Sequence, residues 1–151
     1  MVKILGELRE QFAGQEVFVA GNLFWYPVEG DPKIVTAPDA MVVFGRPPGY
    51  RGSYKQWEEQ GIPPQVVFEV LSPNNTDAEI DTKFLFYERY SVEEYYFIDP
   101  YTPEVIGFHR TTDRLIPIRR IIGGAISPRL GIRFEVHDGE LKLFGPEGRK
   151  F

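Results

Sequence analysis

The run Val66-Val67-Phe68-Glu69-Val70-Leu71 constrains this chain more than any other segment. Apolar side chains at both odd and even positions read as an interior strand, buried on both faces of a sheet that other elements must cover. Glu69 is the exception. A carboxylate in such surroundings costs several kcal/mol unless it is paired or ligates a metal. Two more charges interrupt apolar patterns nearby. Asp39 follows Pro38 at the head of Ala40-Met41-Val42-Val43-Phe44, and Lys83 sits among the apolar positions of the next predicted helix. These three are the candidate functional residues.

A chain of 151 residues can bury roughly two-thirds of the surface its unfolded form exposes. No internal repeat or low-complexity linker divides it, so residues 1–151 read as a single domain. It has no cysteine, which removes disulfides, thiolate zinc sites and cysteine nucleophiles. Met1-Val2-Lys3-Ile4-Leu5-Gly6-Glu7 lacks a long apolar stretch, and no span is apolar enough to cross a membrane. A soluble, cytoplasmic protein is the expectation. The net charge of −5 is unevenly spread. Residues 58–104 carry eleven acids against Lys83 and Arg89. Residues 105–134 carry Arg110, Arg114, Arg119, Arg120, Arg129 and Arg133 against Asp113. That stretch is either a basic face for a phosphate backbone or a set of solvated arginines that discourage edge-to-edge aggregation.

Val2, Leu5, Leu8 and Phe12 lie close to helical spacing, which predicts a helix over residues 2–13 ending at Gly14. Residues 16–26 alternate and read as a strand. After the turn at Gly30-Asp31-Pro32 a second strand begins near Ile34, continued or followed by Asp39–Phe44. Residues 45–64 hold four prolines and four glycines and show no periodicity. They form either a surface excursion pinned by Trp57 or a flap turning Arg46, Arg51 and Lys55 toward a substrate. Thr76-Asp77-Ala78-Glu79 has the form of a capping box and starts a helix that runs to about Tyr90. Tyr95–Ile98 is a strand closed by Asp99-Pro100. Two hairpins follow, one over 104–118 turning near Thr112-Asp113, the other over 132–144 turning at Asp138-Gly139. The order α-β-β-β-α-β plus hairpins predicts an α/β (α+β) fold with a mixed sheet flanked by helices.

At about 100° per residue, Ile80, Phe84 and Tyr87 share a helix face, and Lys83 falls inside that arc. Its ammonium can pair with Glu79 one turn earlier. Alternatively, the short connection from Leu71 to Thr76 folds the helix across its own strand and brings Lys83 to Glu69. Glu69 needs a partner, and a metal ion is the usual one. Hard oxygen ligands select Mg²⁺ or Mn²⁺ over zinc. Such an ion, with an ammonium beside it to orient water or offset charge, suits phosphodiester hydrolysis. Other candidates are weaker. His109 and His137 lie on hairpin strands without metal or triad spacing, Asp99 reads as a turn residue, and Asp77 and Asp81 read as helix charges. Glu7 is within reach of the metal edge, but nothing local separates it from a surface glutamate. No Gly-x-Ser-x-Gly, P-loop or Gly-x-Gly-x-x-Gly pattern occurs.

The chain resembles the Uma2 family, once a domain of unknown function and placed among the PD-(D/E)XK, restriction-endonuclease-like nucleases. The resemblance is carried by Pro38-Asp39, by residues 52–59, by Val67-Phe68-Glu69-Val70-Leu71-Ser72-Pro73-Asn74-Asn75-Thr76, by Lys83-Phe84 and Tyr87, and by residues 92–100. Residues 127–132 resemble the family's C-terminal part. The resemblance implies a restriction-endonuclease-like αβββαβ core with additional C-terminal hairpins, a bacterial source, and Asp39 and Glu69 as metal ligands. The nuclease signature places lysine two residues after the acid, where this chain has Leu71. The family moves that lysine to the helix, which makes Lys83 the substitute.

Two classes of function follow. The first is a Mg²⁺- or Mn²⁺-dependent endonuclease-like phosphodiesterase acting on DNA. In it Asp39, Glu69 and the Val70 carbonyl hold the ion, and Lys83 assists the water. The second is a catalytically inactive nuclease-fold binding module. A homodimer is expected for either.

Overall fold

The structure is a computed structural model and describes residues 1–148 and 151. In chain order the elements are helix α1 (Val2–Gln11), strands β1 (Val17–Ala20), β2 (Trp25–Tyr26), β3 (Ala40–Phe44), β4 (Tyr54–Lys55) and β5 (Val66–Val70), helix α2 (Asp77–Arg89), and strands β6 (Glu94–Asp99), β7 (Glu104–Thr111), β8 (Arg114–Pro117), β9 (Arg133–His137) and β10 (Glu140–Phe144). Without the two-residue strands β2 and β4, the first six elements follow the expected αβββαβ order. The main sheet runs β1-β3-β5-β6-β7-β8. Its β5 and β6 are parallel and joined through α2, while its other neighbours are antiparallel. The sheet is therefore mixed.

Strand alternation divides the core into two faces. On one face Val66, Phe68, Tyr96 and Ile98 meet Leu8 of α1 and Phe134 and Leu143 of the β9–β10 hairpin. On the other face Met41, Val43, Val67 and Tyr95 meet Tyr87 of α2 and Trp25 and Tyr54 of the parallel β2–β4 ribbon. Covering both faces is what lets β5 be apolar on both sides. Local signals agree with the elements. The Thr76 hydroxyl accepts from the Glu79 N–H at 3.2 Å and caps α2. Asp138 and Gly139 take φ of 53° and 76°, as the two-residue hairpin turn requires. The Arg110 guanidinium donates to the Tyr87, Glu88 and Val92 carbonyls and ties the end of α2 to β7.

Two predicted strands are not formed as expected. Residues 16–26 split into β1 and β2, because Asn22 turns the chain with φ of 53°. No strand starts at Ile34. Only Thr36 bridges to Trp25, and Pro38, which has no N–H to pair, precedes β3.

A buried carboxylate pins the C-terminal segment to the sheet. Glu94, 3% exposed, accepts from the Tyr96 hydroxyl at 2.6 Å, the Arg129 N–H at 2.9 Å and the Ser127 hydroxyl. Truncating it strands two buried hydroxyls and the Arg129 N–H. Glu94→Ala is expected to lower unfolding free energy by about 2–4 kcal/mol, read from urea denaturation, with Glu94→Gln recovering part of the loss.

Candidate active site

The pairing of β3 with β5 sets Ala40 opposite Phe68, so Asp39, one residue earlier, lies opposite Glu69. By alternation Asp39 shares a face with Met41 and Val43, and Glu69 shares it with Val67, on the α2 side of the sheet. Continuing the register, Pro38 stands opposite Val70. Its carbonyl already accepts from the Asn22 N–H at 3.0 Å. The Asp39 carboxylate accepts the Val70 N–H at 2.7 Å in place of a ladder bond. The Val70 carbonyl leaves the extended backbone on the same edge as that N–H, toward Asp39.

Helix α2 crosses β5 and delivers the third residue. The Lys83 ammonium donates to both Glu69 carboxylate oxygens at 3.0 Å and lies 3.5 Å from the Ala37 carbonyl. It thus pairs with an acid fourteen residues earlier rather than with Glu79. One turn on from Lys83, the Tyr87 hydroxyl also donates to Glu69. The Tyr87 ring stacks on Trp25 at 6.4 Å, so the β2–β4 ribbon buttresses the acid from behind. Sequence reasoning put Tyr87 on the right helix face but missed its role. The signal was its i, i+4 relation to Lys83.

Glu69 is 5% exposed. Burial pushes its carboxyl up to about 7; Lys83 and the Tyr87 hydroxyl oppose that rise, and the Asp39 carboxylate adds to it. Burial and Glu69 together hold the Tyr87 phenol well above its usual range.

Asp39, Glu69, Val70 and Lys83 open onto one recess of about 140 Å³, with Ser72, Asn75, Glu79 and Tyr95 among its other walls. Larger clefts of about 540 and 430 Å³ lie beside β1 and between α1 and the β9–β10 hairpin. Neither holds a buried carboxylate paired with a lysine as this recess does. Glu7 is not among the recess residues. His137 bonds Glu135 at 3.1 Å, and Asp99 caps a turn through the Tyr101 and Thr102 N–H groups.

The flap reading of residues 45–64 needs correction. Glu59, 8% exposed, takes Arg46 at 3.0 Å and Arg51 at 2.6 Å, and the Arg51 guanidinium lies over the Phe18 ring. A buried carboxylate must find donors, and this one turns both arginines inward. Only Lys55 of the three stays exposed. The proposed basic face shrinks as well. Arg110 is spent on α2, exposed Arg129 on Glu93 and Arg133 on Glu135; Arg114, Arg119 and Arg120 are also exposed.

The donor set can be compared with the divalent ion expected from the sequence. Among the described residues no group of three or more His, Cys, Asp or Glu side chains is placed to hold a metal. That excludes an all-side-chain zinc cage here. Two carboxylates on one face beside a backbone carbonyl do fit Mg²⁺ or Mn²⁺, which bind through one or two carboxylates and keep several waters.

The raised Glu69 carboxyl carries a pH signature in metal-free protein. Between about pH 4.5 and 7 the folded state holds a proton that the unfolded state has released, so stability falls as pH rises through that window. Denaturation in chelator at pH 5 and pH 8 is expected to show wild type losing on the order of 3 kcal/mol relative to Glu69→Gln. Parallel pH profiles for the two proteins would contradict it.

The family model of Uma2, described as "Putative restriction endonuclease", matches residues 2–129. A solved structure described as a putative nuclease belonging to DUF820, from Anabaena variabilis, superposes with a TM-score of 0.58 at 15% identity, covering 84% of this chain and 68% of that one. At that identity the likeness speaks for the fold. No curated protein matches. Among the described residues no helix is long and apolar enough to cross a membrane. The family's description points to a nuclease, a hydrolase, and with residues 2–129 matched the chain belongs to the Uma2 family.

Proposed function

We propose that this protein is a Mg²⁺- or Mn²⁺-dependent phosphodiesterase that cuts DNA. One observation carries the reading: Asp39, Glu69 and Lys83, distant in sequence, open onto one recess at the carboxyl end of β5. Asp39 and Glu69, with the Val70 carbonyl, hold the ion. When bound, it polarises a phosphoryl oxygen and lowers the pKa of coordinated water. Tyr87 keeps the Glu69 carboxylate aimed at the recess. Lys83, 36% exposed at its side chain, turns its ammonium from Glu69 toward the attacking water or the phosphoryl oxygens, where it offsets developing negative charge. Exposed Arg114, Arg119 and Arg120 supply cations for a nucleic-acid backbone. A homodimer belongs to the same proposal, supported by exposed Ile106 and Ile116 at the open β7–β8 margin of the sheet.

A second reading has its own support. Lys83 already engages both Glu69 oxygens, so the pair is neutralised without any metal ion, as a catalytically inactive binding module would require.

Calorimetric titration of Mn²⁺ separates the two. Binding heat in wild type that vanishes in Glu69→Gln is expected, whereas equal heats would remove the ion site. In plasmid nicking with Mn²⁺, Glu69→Gln and Lys83→Met are expected to slow the reaction about 10²–10³-fold. Wild type that binds DNA but leaves it intact would favour the binding module.

A further inference from the structure

Four tyrosines are buried, and three have used their hydroxyls. Tyr54 donates to the Ile62 carbonyl at 2.6 Å, Tyr96 to Glu94 at 2.6 Å, and Tyr87 to Glu69. Tyr95, 2% exposed, is the exception: its hydroxyl has no hydrogen-bond partner among the described residues. It is not sealed in, because Gln11 Oε1 is the only fully enclosed side-chain oxygen or nitrogen among them that lacks a partner. Tyr95 lines the recess with Asp39, Glu69 and Lys83, and its hydroxyl is near enough to feel the Glu69 and Asp39 carboxylates.

The ring cannot swing away from that direction. It meets Tyr87 edge-on at 5.0 Å, stacks on Phe108 at 5.7 Å and touches Phe84 at 6.5 Å. A phenylalanine would fill the same space without a polar atom that the protein itself leaves without a partner. The polar atom is held rigidly where a molecule in the recess, and no side chain, can satisfy it.

We infer that Tyr95 is a substrate-contacting residue of this site, its hydroxyl donating to a phosphoryl oxygen on the side of the recess facing Lys83. The inference rests on the phosphodiesterase reading and adds to it a residue and a ligand chemistry. The recess is small beside the roughly 300–1,000 Å³ of pockets that enclose a drug-sized ligand. At about 140 Å³ it admits a phosphoryl group with an ion or water but no nucleoside. Burial and the nearby Glu69 and Asp39 carboxylates push the phenol above its usual range, so it stays a donor at neutral pH.

The test is Tyr95→Phe, followed by thermal melting, by calorimetric titration of inorganic phosphate in the presence of Mg²⁺, and by plasmid nicking. An unchanged or raised melting temperature with phosphate affinity weakened about tenfold supports the inference, since a bond to a charged acceptor is worth that much. A lowered melting temperature would mark the hydroxyl as a packing group and overturn it. Equal phosphate affinity in the two proteins, or none in wild type, also overturns it. Nicking separates the inference from the reading beneath it. Wild type and Tyr95→Phe cutting at one rate sinks the tyrosine and spares the nuclease. Phosphate binding that depends on Tyr95 in a protein that cuts no DNA does the reverse.

Discussion

The burial of the Glu69 carboxylate is the constraint from which the functional half of the molecule follows. An acid with 5% of its surface exposed, in an interior strand, is tolerable only if its neighbours answer it. Lys83 and Tyr87 do so from α2, which fixes where that helix must cross β5. Tyr87 needs packing behind it, and Trp25 supplies that from the β2–β4 ribbon. The irregular segment after β3 is thereby drawn into the fold: Tyr54 pairs with Trp25 and is buried against Phe18. Removing the charge would remove the reason for much of this layer.

A second buried glutamate shows what a purely structural solution looks like. Glu94 is as hidden as Glu69, yet two hydroxyls and a backbone N–H meet it, and its side chain lies on the opposite face of the sheet. Its oxygens are occupied by neutral donors of the chain, so it acts as a fastening for residues 127–130. Glu69 is met by a charged donor that remains partly exposed, and it borders open space. The same residue type in the same sheet is closed in one place and open in the other. The open one is where a ligand can enter.

Much of this was legible in the sequence. A charge inside an apolar run marks itself, so Asp39, Glu69 and Lys83 were readable from composition along the chain alone, and the capping box and the Asp138-Gly139 turn were readable from local chemistry. What could not be read was set by pairing between distant strands. Tyr95 and Tyr96 form an aromatic doublet in which one side chain faces the site and the other faces Glu94. Only the β5–β6 register, with Val67 opposite Tyr95, decides which. The inward turn of Arg46 and Arg51 depends on Glu59, a residue that sequence gives no reason to bury. The break of β1 from β2 depends on one asparagine in the left-handed region, which alternation does not reveal.

The arrival of the ammonium from the helix rather than from the strand has a physical consequence. A residue two positions after Glu69 on β5 would project from the same face and be held by the sheet's own hydrogen bonds. That place is taken by Leu71, and the ammonium arrives instead from α2. Its position relative to the acid is therefore set by side-chain packing: Phe84, Phe86 and Tyr87 against Trp25, Tyr95 and Phe108, with Arg110 tying down the helix end. Packed contacts of this kind resist small shifts but allow a helix to slide slightly as a unit. The distance between Lys83 and Glu69 is thus coupled to the aromatic layer beneath the site. An aromatic layer this dense around so few charges follows from carrying the amine on an element the sheet does not hold.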